Sequence, residues 1–188
     1  MQAIDPSSAR TGGSVLGDKT RMVELSKEEN AYVRPSPSSG TLGGVTKHTN
    51  EAILLLEEAG YDVILIETVG VGQSETAVED MVDMFAMLSS PAGGDELQGI
   101  KRGIVELADI IIVNKADGEL VNAARQAQME LLSAIKFVRP KHPAWRPRVL
   151  SCSAKTGYNV DKVWDTMCQF WKLMEVCTFE KVVCVFKY

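Results

Sequence analysis

Apolar residues along the chain fall into two kinds of pattern. Short apolar runs, typical of parallel strands that are buried on both faces, occur at 63–66, 84–88, 109–113 and 148–152. Apolar residues spaced three and four positions apart predict amphipathic helices at 45–59, 95–107, 119–137 and 160–174. This alternation of strands and helices predicts an α/β fold of three layers, α/β/α, in which helices cover a mainly parallel sheet.

The segments between these elements are less regular. The pattern predicts a strand ending at residue 4, a polar loop at 5–17, turns at 34–40 and a short helix at 74–81. Asp18 can cap a short helix that carries Met22, Val23 and Leu25. The final residues, 176–188, are rich in valine and phenylalanine and predict one more strand.

Composition narrows the class of protein. The chain has 188 residues, of which 45% are hydrophobic and 24% charged, as expected for one globular domain. A net charge of −5, from 20 basic and 25 acidic residues, argues against non-specific binding of nucleic acid, which requires a basic surface. No apolar run approaches the ~20 residues that cross a bilayer, so we expect no membrane span.

Cysteine and histidine usage excludes several kinds of chemistry. The four cysteines form no CxxC pair, which disfavours a zinc site and favours a reducing compartment. The two histidines lie in no HExxH frame, and the chain contains no GxSxG sequence. Metalloprotease and serine hydrolase activities are therefore not expected.

The most informative motif is Asn114-Lys115-Ala116-Asp117, directly after the predicted strand at 109–113. Ligands of open α/β sheets bind beyond the carboxyl ends of the strands, so the motif lies where a ligand is expected. The Asp117 carboxylate can accept hydrogen bonds from both N1–H and the 2-amino group of guanine, a pair that adenine lacks. Asn114 can bond the N7 edge of the base, and the Lys115 stem can cover its face.

Two further motifs follow neighbouring strands in the expected order. Ser153, Ala154 and Lys155 come after the strand at 148–152, where a small residue lets a backbone N–H reach the guanine carbonyl oxygen. Glu67 follows the strand at 63–66 and can hold a water bound to Mg²⁺, while Gly70 can track a γ-phosphate. The three motifs together predict a domain that binds GTP or GDP with Mg²⁺.

Several longer strings make a family resemblance visible. They are Asp5-Pro6-Ser7-Ser8, residues 10–14, residues 17–22, Arg34-Pro35-Ser36-Pro37, residues 67–75 and residues 94–101. Across roughly residues 3–174 the chain resembles the family of GTPases associated with methylmalonyl-CoA mutase, which includes the animal methylmalonic aciduria type A proteins. The resemblance implies a P-loop GTPase fold and a homodimer. It also implies a chaperone of the adenosylcobalamin-dependent mutase that gates cofactor delivery and protects the mutase. Animal members work in the mitochondrial matrix, and a bacterial member would be cytoplasmic.

The resemblance also implies roles for individual residues. Asp5 and Glu67 would hold Mg²⁺, Asp18 would lie in the first switch region, and Glu67, Gly70 and Gln73 would form the catalytic second switch. A further switch facing the mutase would contain Asp95, Glu96, Gln98 and Lys101. Val71 follows Gly70, where Ras-like proteins carry a glutamine that orients water, so slow intrinsic hydrolysis is expected.

The chain departs from the family pattern in two places. The phosphate-binding sequence GxxxxGK[ST] is absent from the 188 residues, and 176–188 is apolar where the family continues with a polar helical arm. We therefore expect a partial G domain at 1–174, truncated at its N-terminus, and an atypical tail at 175–188. Two other functions stay open. One is a metal-insertion GTPase for a nickel enzyme, which the scarcity of histidine disfavours, and the other is a non-catalytic interaction fragment.

Most of these residues also have a purely structural interpretation. Asp117 could cap a helix, Asp5 could start a turn, Glu67 could be an ordinary carboxylate at a buried edge, and 95–101 could be a solvated helix start. We expect the apolar stripe of the last helix to form core: Val160, Val163, Trp164, Met167, Phe170, Trp171 and Met174. The basic residues between 136 and 148 are expected to form a solvated loop, and Cys152 to be a small buried residue.

Overall fold

The computed structural model describes residues 2–5, 22–37, 47–69, 79–91, 102–174 and 182–187. The chain divides into two compact units. The first contains Met1–Asp83 and Lys181–Lys187, and the second contains Met84–Glu180 together with Tyr188.

The described residues contain seven strands and four α-helices. The strands are β1 (Gln2–Asp5), β2 (Arg34–Pro37), β3 (Ile64–Val69), β4 (Met84–Ser89), β5 (Ile110–Val113), β6 (Arg148–Ser151) and β7 (Val182–Lys187). The helices are α1 (Lys47–Glu58), α2 (Arg102–Leu107), α3 (Val121–Ile135) and α4 (Val160–Met174). Single 3₁₀ turns lie at Leu25–Lys27 and Gly118–Leu120. The observed bounds of β3, β4, β5 and β6 confirm the strands predicted at 63–66, 84–88, 109–113 and 148–152. Strand β7 confirms a strand within the tail.

The first unit is built on parallel strands in the order β2-β1-β3-β7. Ala3 of β1 lies opposite Pro35 of β2 on one side and Glu67 of β3 on the other. Turns had been expected at 34–40, and for Arg34–Pro37 that prediction is wrong. Proline lacks an amide hydrogen but is tolerated on an edge strand, and β2 is at the edge. Pro35 and Pro37 are two residues apart, so the missing donors fall on one side of the strand only.

Helix α1 covers this sheet with one apolar face. Ile53 and Leu56 are buried in a cluster with Ile64 and Ile66 of β3. The helix ends before Gly60, whose φ of +83° lies in the left-handed region that ends helices readily at glycine. The helix predicted at 45–59 is confirmed over Lys47–Glu58.

The short helix expected after Asp18 is not an α-helix in its described part. Only the 3₁₀ turn at Leu25–Lys27 forms there, and its flanking residue Glu24 makes no side-chain cap. Val23 and Leu25 are exposed, so they supply too little apolar burial to sustain a longer helix.

The second unit is built on the parallel strands β4-β5-β6. Ile111 of β5 lies opposite Met87 of β4 and Val149 of β6. All four residues of β5 are buried, as the continuous apolar run predicts. Together with the parallel sheet of the first unit, this arrangement confirms the α/β fold class.

Helix α4 buries only the second half of its apolar stripe. Met167, Phe170 and Trp171 are buried, but Val160 and Trp164 are 45% and 44% exposed, so the prediction of a stripe that is core throughout is wrong. The reason is that the two halves of the helix pack against different residues. Phe170 packs edge-on against His142 and Trp145 of the loop before β6, whereas Trp164 packs edge-on against Trp171 of its own helix.

The loop between α3 and β6 is anchored by its apolar residues, while its charges face solvent. The indole Nε1 of Trp145 donates to the backbone oxygen of Asp109 at 2.9 Å. The buried Asp109 carboxylate accepts the backbone N–H of Phe85, also at 2.9 Å. All five basic side chains are exposed, which confirms the predicted solvated loop: Lys136, Arg139, Lys141, Arg146 and Arg148.

Several predicted segments lie outside the described residues. They are most of the polar loop at 5–17, Asp18, most of the helix at 74–81, the first half of the helix at 95–107, and residues 176–181. In the described part of the chain, no helix is both long enough and apolar enough to cross a membrane.

Candidate functional site

The two loops predicted to read a base meet at the carboxyl ends of β5 and β6. Val113 and Ser151, the last residues of these strands, lie opposite each other in the parallel register. Beyond them the Cys152 N–H donates to Val113 O and the Ala116 N–H donates to Cys152 O, both at 2.9 Å. The backbone therefore fixes the two loops side by side before any side chain contributes.

The Asn114 side chain joins the loops a second time. Its Oδ1 accepts the backbone N–H of Lys115 at 2.8 Å and that of Ala154, 40 residues later, at 3.0 Å. The Cys152 Sγ lies 3.8 Å from the same oxygen. With Oδ1 turned towards these donors, the Nδ2 group has no partner among the described residues and is available to a ligand.

Asp117 is held by Ser153 rather than by the helix that follows it. The Ser153 hydroxyl donates to Asp117 Oδ2 at 2.5 Å, and the same hydroxyl oxygen accepts the Thr156 N–H at 3.2 Å. Asp117 makes no side-chain cap to the 3₁₀ turn at Gly118–Leu120, so the capping interpretation is wrong. In the described part of the chain Oδ1 has no partner, and an oxygen such as Oδ2 can accept a second hydrogen bond.

Lys115 and Lys155 leave the site open to solvent. Both side chains are exposed, as is Ala154, whereas Ser153 is completely buried beneath them. Lys115 has a φ of +62°, a left-handed conformation that is uncommon for a lysine. Such backbone outliers cluster at ligand sites, and this one gives the motif a sharp turn directly after β5.

The loop after β6 is closed by its own hydrogen bonds. The Ser153 N–H donates to Tyr158 O, and the Gly157 N–H donates to Ser153 O, both at 2.9 Å. Asn159, at a φ of +56°, donates its Nδ2 to Ser151 O at 3.0 Å. Sequence reasoning missed these supporting residues, although Gly157 and Asn159, two residue types that tolerate positive φ, were a visible signal of a tight turn.

Cys152 is buried beneath the same loop, as expected, and its burial raises the pKa of the thiol. A buried cysteine with a raised pKa stays a neutral thiol, which can donate a weak hydrogen bond but is a poor nucleophile.

A cleft of about 630 Å³ opens beside Asp117, between α3 and the loop after β6. Its walls include Val121, Arg125 and Gln128 from α3 and Tyr158 from the loop. Asn114, Ala154 and Lys155 do not line it, so Asp117 is the one predicted base-reading residue on its wall.

The residues predicted to hold phosphate and Mg²⁺ belong to the first unit. Asp5 ends β1 and Glu67 lies in the adjacent parallel strand β3, opposite Ala3. Mg²⁺ in nucleotide sites is bound by one or two carboxylates together with phosphates and water, so this donor set suits the ion. Six residues predicted for the second switch and for the switch facing the mutase lie outside the described residues: Gly70, Gln73, Asp95, Glu96, Gln98 and Lys101.

Comparison with known proteins gives consistent matches. The family model for the methylmalonyl Co-A mutase-associated GTPase MeaB matches residues 1–183. A mitochondrial methylmalonic aciduria type A homolog from Mus musculus is 62% identical over 89% of this chain. A probable GTPase from Mycobacterium tuberculosis is 61% identical over 88%, and the GTPase ArgK of Escherichia coli is 51% identical over 89%.

A solved structure agrees with the sequence matches. The chain superimposes on a crystal structure titled as a LAO/AO transport system kinase with a TM-score of 0.72 and 35% sequence identity, over 94% of this chain. The chain spans 50% of that structure, 40% of the mouse protein and 51% of the E. coli protein, so it matches about half the length of its relatives. On the family match and these identities, the chain belongs to the methylmalonyl Co-A mutase-associated GTPase family.

Proposed function

We propose that this chain is the guanine-reading part of a GTPase that works with methylmalonyl-CoA mutase. One observation carries the proposal. Asn114 and Asp117 are each bonded to the loop 153–156, through Ala154 N–H and through the Ser153 hydroxyl. The two motifs therefore form one rigid, polar edge at the carboxyl end of the sheet, where α/β proteins bind nucleotides.

The free groups of this edge complement guanine. The Asp117 carboxylate would accept N1–H and the 2-amino group, and Asn114 Nδ2 would donate to N7. The carbonyl oxygen of the base needs an N–H donor. The Ala154 N–H already reaches Asn114 Oδ1 and would have to be shared with the base, whereas the Lys155 N–H has no partner among the described residues.

Hydrolysis would also need groups that bind the phosphates and a metal ion. Asp5 and Glu67 would hold Mg²⁺, which when bound neutralises charge on the phosphates. In our proposal Gly70 and Gln73 form the second switch, and Asp95, Glu96, Gln98 and Lys101 face the mutase. The phosphate-binding sequence GxxxxGK[ST] is not among these 188 residues, so within them the proposed phosphate contacts would come from that switch and the metal ion.

The name of the family supports a role alongside the mutase, and we extend it to a chaperone that gates adenosylcobalamin delivery. The chain would act as a homodimer, in the mitochondrial matrix if it comes from an animal and in the cytoplasm if it comes from a bacterium. We assign residues 1–174 to a partial G domain and 175–188 to an atypical tail.

A direct test is calorimetric titration of the purified chain with GDP and GTP in the presence of Mg²⁺. We expect micromolar affinity that Asp117→Ala abolishes, because that change removes both acceptors for the guanine edge. Asp161→Ala, which deletes an exposed carboxylate at the start of α4, is the matched control and should bind like the wild type. A folded wild-type chain that binds neither nucleotide would contradict the proposal for this chain.

A second candidate function rests on the absence of GxxxxGK[ST] from the sequence. Without that loop the chain would be an interaction fragment that binds the mutase and no nucleotide. Binding of the mutase that is equally tight with GDP, with GTP and without nucleotide would favour the fragment, whereas dependence on the nucleotide would favour the GTPase.

A further inference from the structure

Three donors converge on a single oxygen at the base-reading edge. The Oδ1 of Asn114 receives the N–H of Lys115 at 2.8 Å, the N–H of Ala154 at 3.0 Å and the thiol of Cys152 at 3.8 Å. An amide oxygen has two lone pairs, so the two short bonds already use its full capacity. The thiol is therefore a third donor within reach of an oxygen whose two lone pairs are already used.

A bound guanine base would change the number of donors available to Asn114 Oδ1. The carbonyl oxygen of the base draws on the N–H groups of the loop after β6, and Ala154 N–H, on the exposed side of that loop, is one of them. Sharing this N–H with the base weakens its bond to Asn114 Oδ1. A flexible amide with only one firm bond can rotate, which would turn its oxygen in place of Nδ2 towards N7 of the base.

We propose that Cys152 is a positioning residue for guanine recognition, whose thiol donates to Asn114 Oδ1 and keeps the Asn114 Nδ2 group directed at N7 while Ala154 N–H is shared with the base. This inference rests on the proposed function, since it concerns the same site. Cys152 itself does not touch the base. It lies 6% exposed beneath the loop and acts through Asn114.

Two features of the site favour a thiol in this position. Burial raises the pKa of Cys152, so the proton that makes the hydrogen bond is retained at neutral and mildly alkaline pH. The backbone of Cys152 is also fixed at both ends, by its N–H to Val113 O and by its carbonyl to Ala116 N–H. These bonds fix the Cα and Cβ atoms of Cys152, so the sulfur can leave Asn114 only by rotating about the Cα–Cβ bond.

The test compares GDP with 7-deaza-GDP, which lacks the N7 acceptor, on the full chain with Mg²⁺. Cys152→Ala should weaken GDP binding about threefold, the size of one weak neutral hydrogen bond, and leave 7-deaza-GDP binding unchanged. Cys152→Ser retains a donor, so its GDP affinity should lie closer to that of the wild type than to that of Cys152→Ala. Cys168→Ala removes a half-buried thiol from α4 and should change neither affinity. Circular dichroism melts confirm that each variant is folded.

The outcomes separate the two proposals. If Cys152→Ala weakened the binding of GDP and of 7-deaza-GDP equally, Cys152 would have a merely structural role. That result would overturn the role proposed for Cys152 but not the proposed function of the chain. An unchanged GDP affinity in Cys152→Ala would overturn it as well. Failure of the folded wild-type chain to bind GDP would overturn both proposals together, because a positioning role requires a bound base.

Discussion

In our proposal Asp117 determines which base the site accepts, because its acceptors would face the edge where guanine differs from xanthine. Guanine presents a 2-amino donor beside N1–H, whereas xanthine presents a carbonyl acceptor there. Asp117→Asn replaces one acceptor by a donor that matches xanthine. We expect GDP affinity to fall roughly tenfold to hundredfold, the value of a hydrogen bond to a charged group, and XDP affinity to rise. Competition binding with GDP and xanthosine diphosphate (XDP) measures the loss of affinity for the first and the gain for the second.

The control for that exchange is Asp161→Asn, which makes the same change of charge at an exposed position outside the site. It should bind GDP like the wild type. If Asp117→Asn lost affinity for GDP without gaining any for XDP, the carboxylate would be supporting the loop through Ser153 and not reading the base.

At the scale of residues, a role can be predicted for a side chain that would contact the base directly, but not for one that would act through another residue. The proposed roles of Asn114 and Asp117 follow from their functional groups and their place after a strand. The contact of Cys152 with Asn114 joins residues 38 apart, and only the pairing of β5 with β6 brings them together. A pattern of residue types carries no information on such a contact.

Two glycines at helix ends allow a test at the scale of elements. Gly60 has a φ of +83°, and an added Cβ there would meet no atom within 4 Å, so any cost of substitution is conformational. Gly60→Ala should lower the free energy of unfolding by about 1 kcal/mol. Gly103, in α2, has equally open surroundings and an ordinary φ, so Gly103→Ala should raise it by up to about 1 kcal/mol. Urea unfolding measures both, and effects of the same sign would contradict the argument.

Element prediction succeeded where periodicity and local chemistry agreed. Helix α1 has both an apolar face at Ile53 and Leu56 and a glycine stop, and its predicted end was accurate. Strand β2 was missed because proline usually marks turns, and only its place at the sheet edge makes two prolines acceptable. The burial of α4 was overestimated because a helical stripe does not show how far its tertiary cover extends.

At the scale of the whole chain, the fold class followed from the order of elements alone. Strands and helices alternate from β4 to β7, and α1 lies between β2 and β3; parallel pairing is the usual outcome of such an order. The division into two compact units was not predictable, since no linker composition marks the boundary near residue 83. It results from contacts between residues distant in sequence, such as those that pair β7 with β3.

Nucleotide binding should stabilise the folded chain by an amount that depends on base and metal. A ligand at 100 times its Kd adds about 2.7 kcal/mol to the free energy of unfolding, which for a chain of this length raises the melting temperature by roughly 5–10 °C. We expect GDP with Mg²⁺ to give a rise of this size and ADP to give almost none, because Asp117 would accept from groups that adenine lacks. Adding EDTA should reduce the GDP effect if Asp5 and Glu67 help to hold Mg²⁺. Differential scanning fluorimetry measures all three shifts, and equal shifts with GDP and ADP would show that the chain binds the phosphates without reading the base.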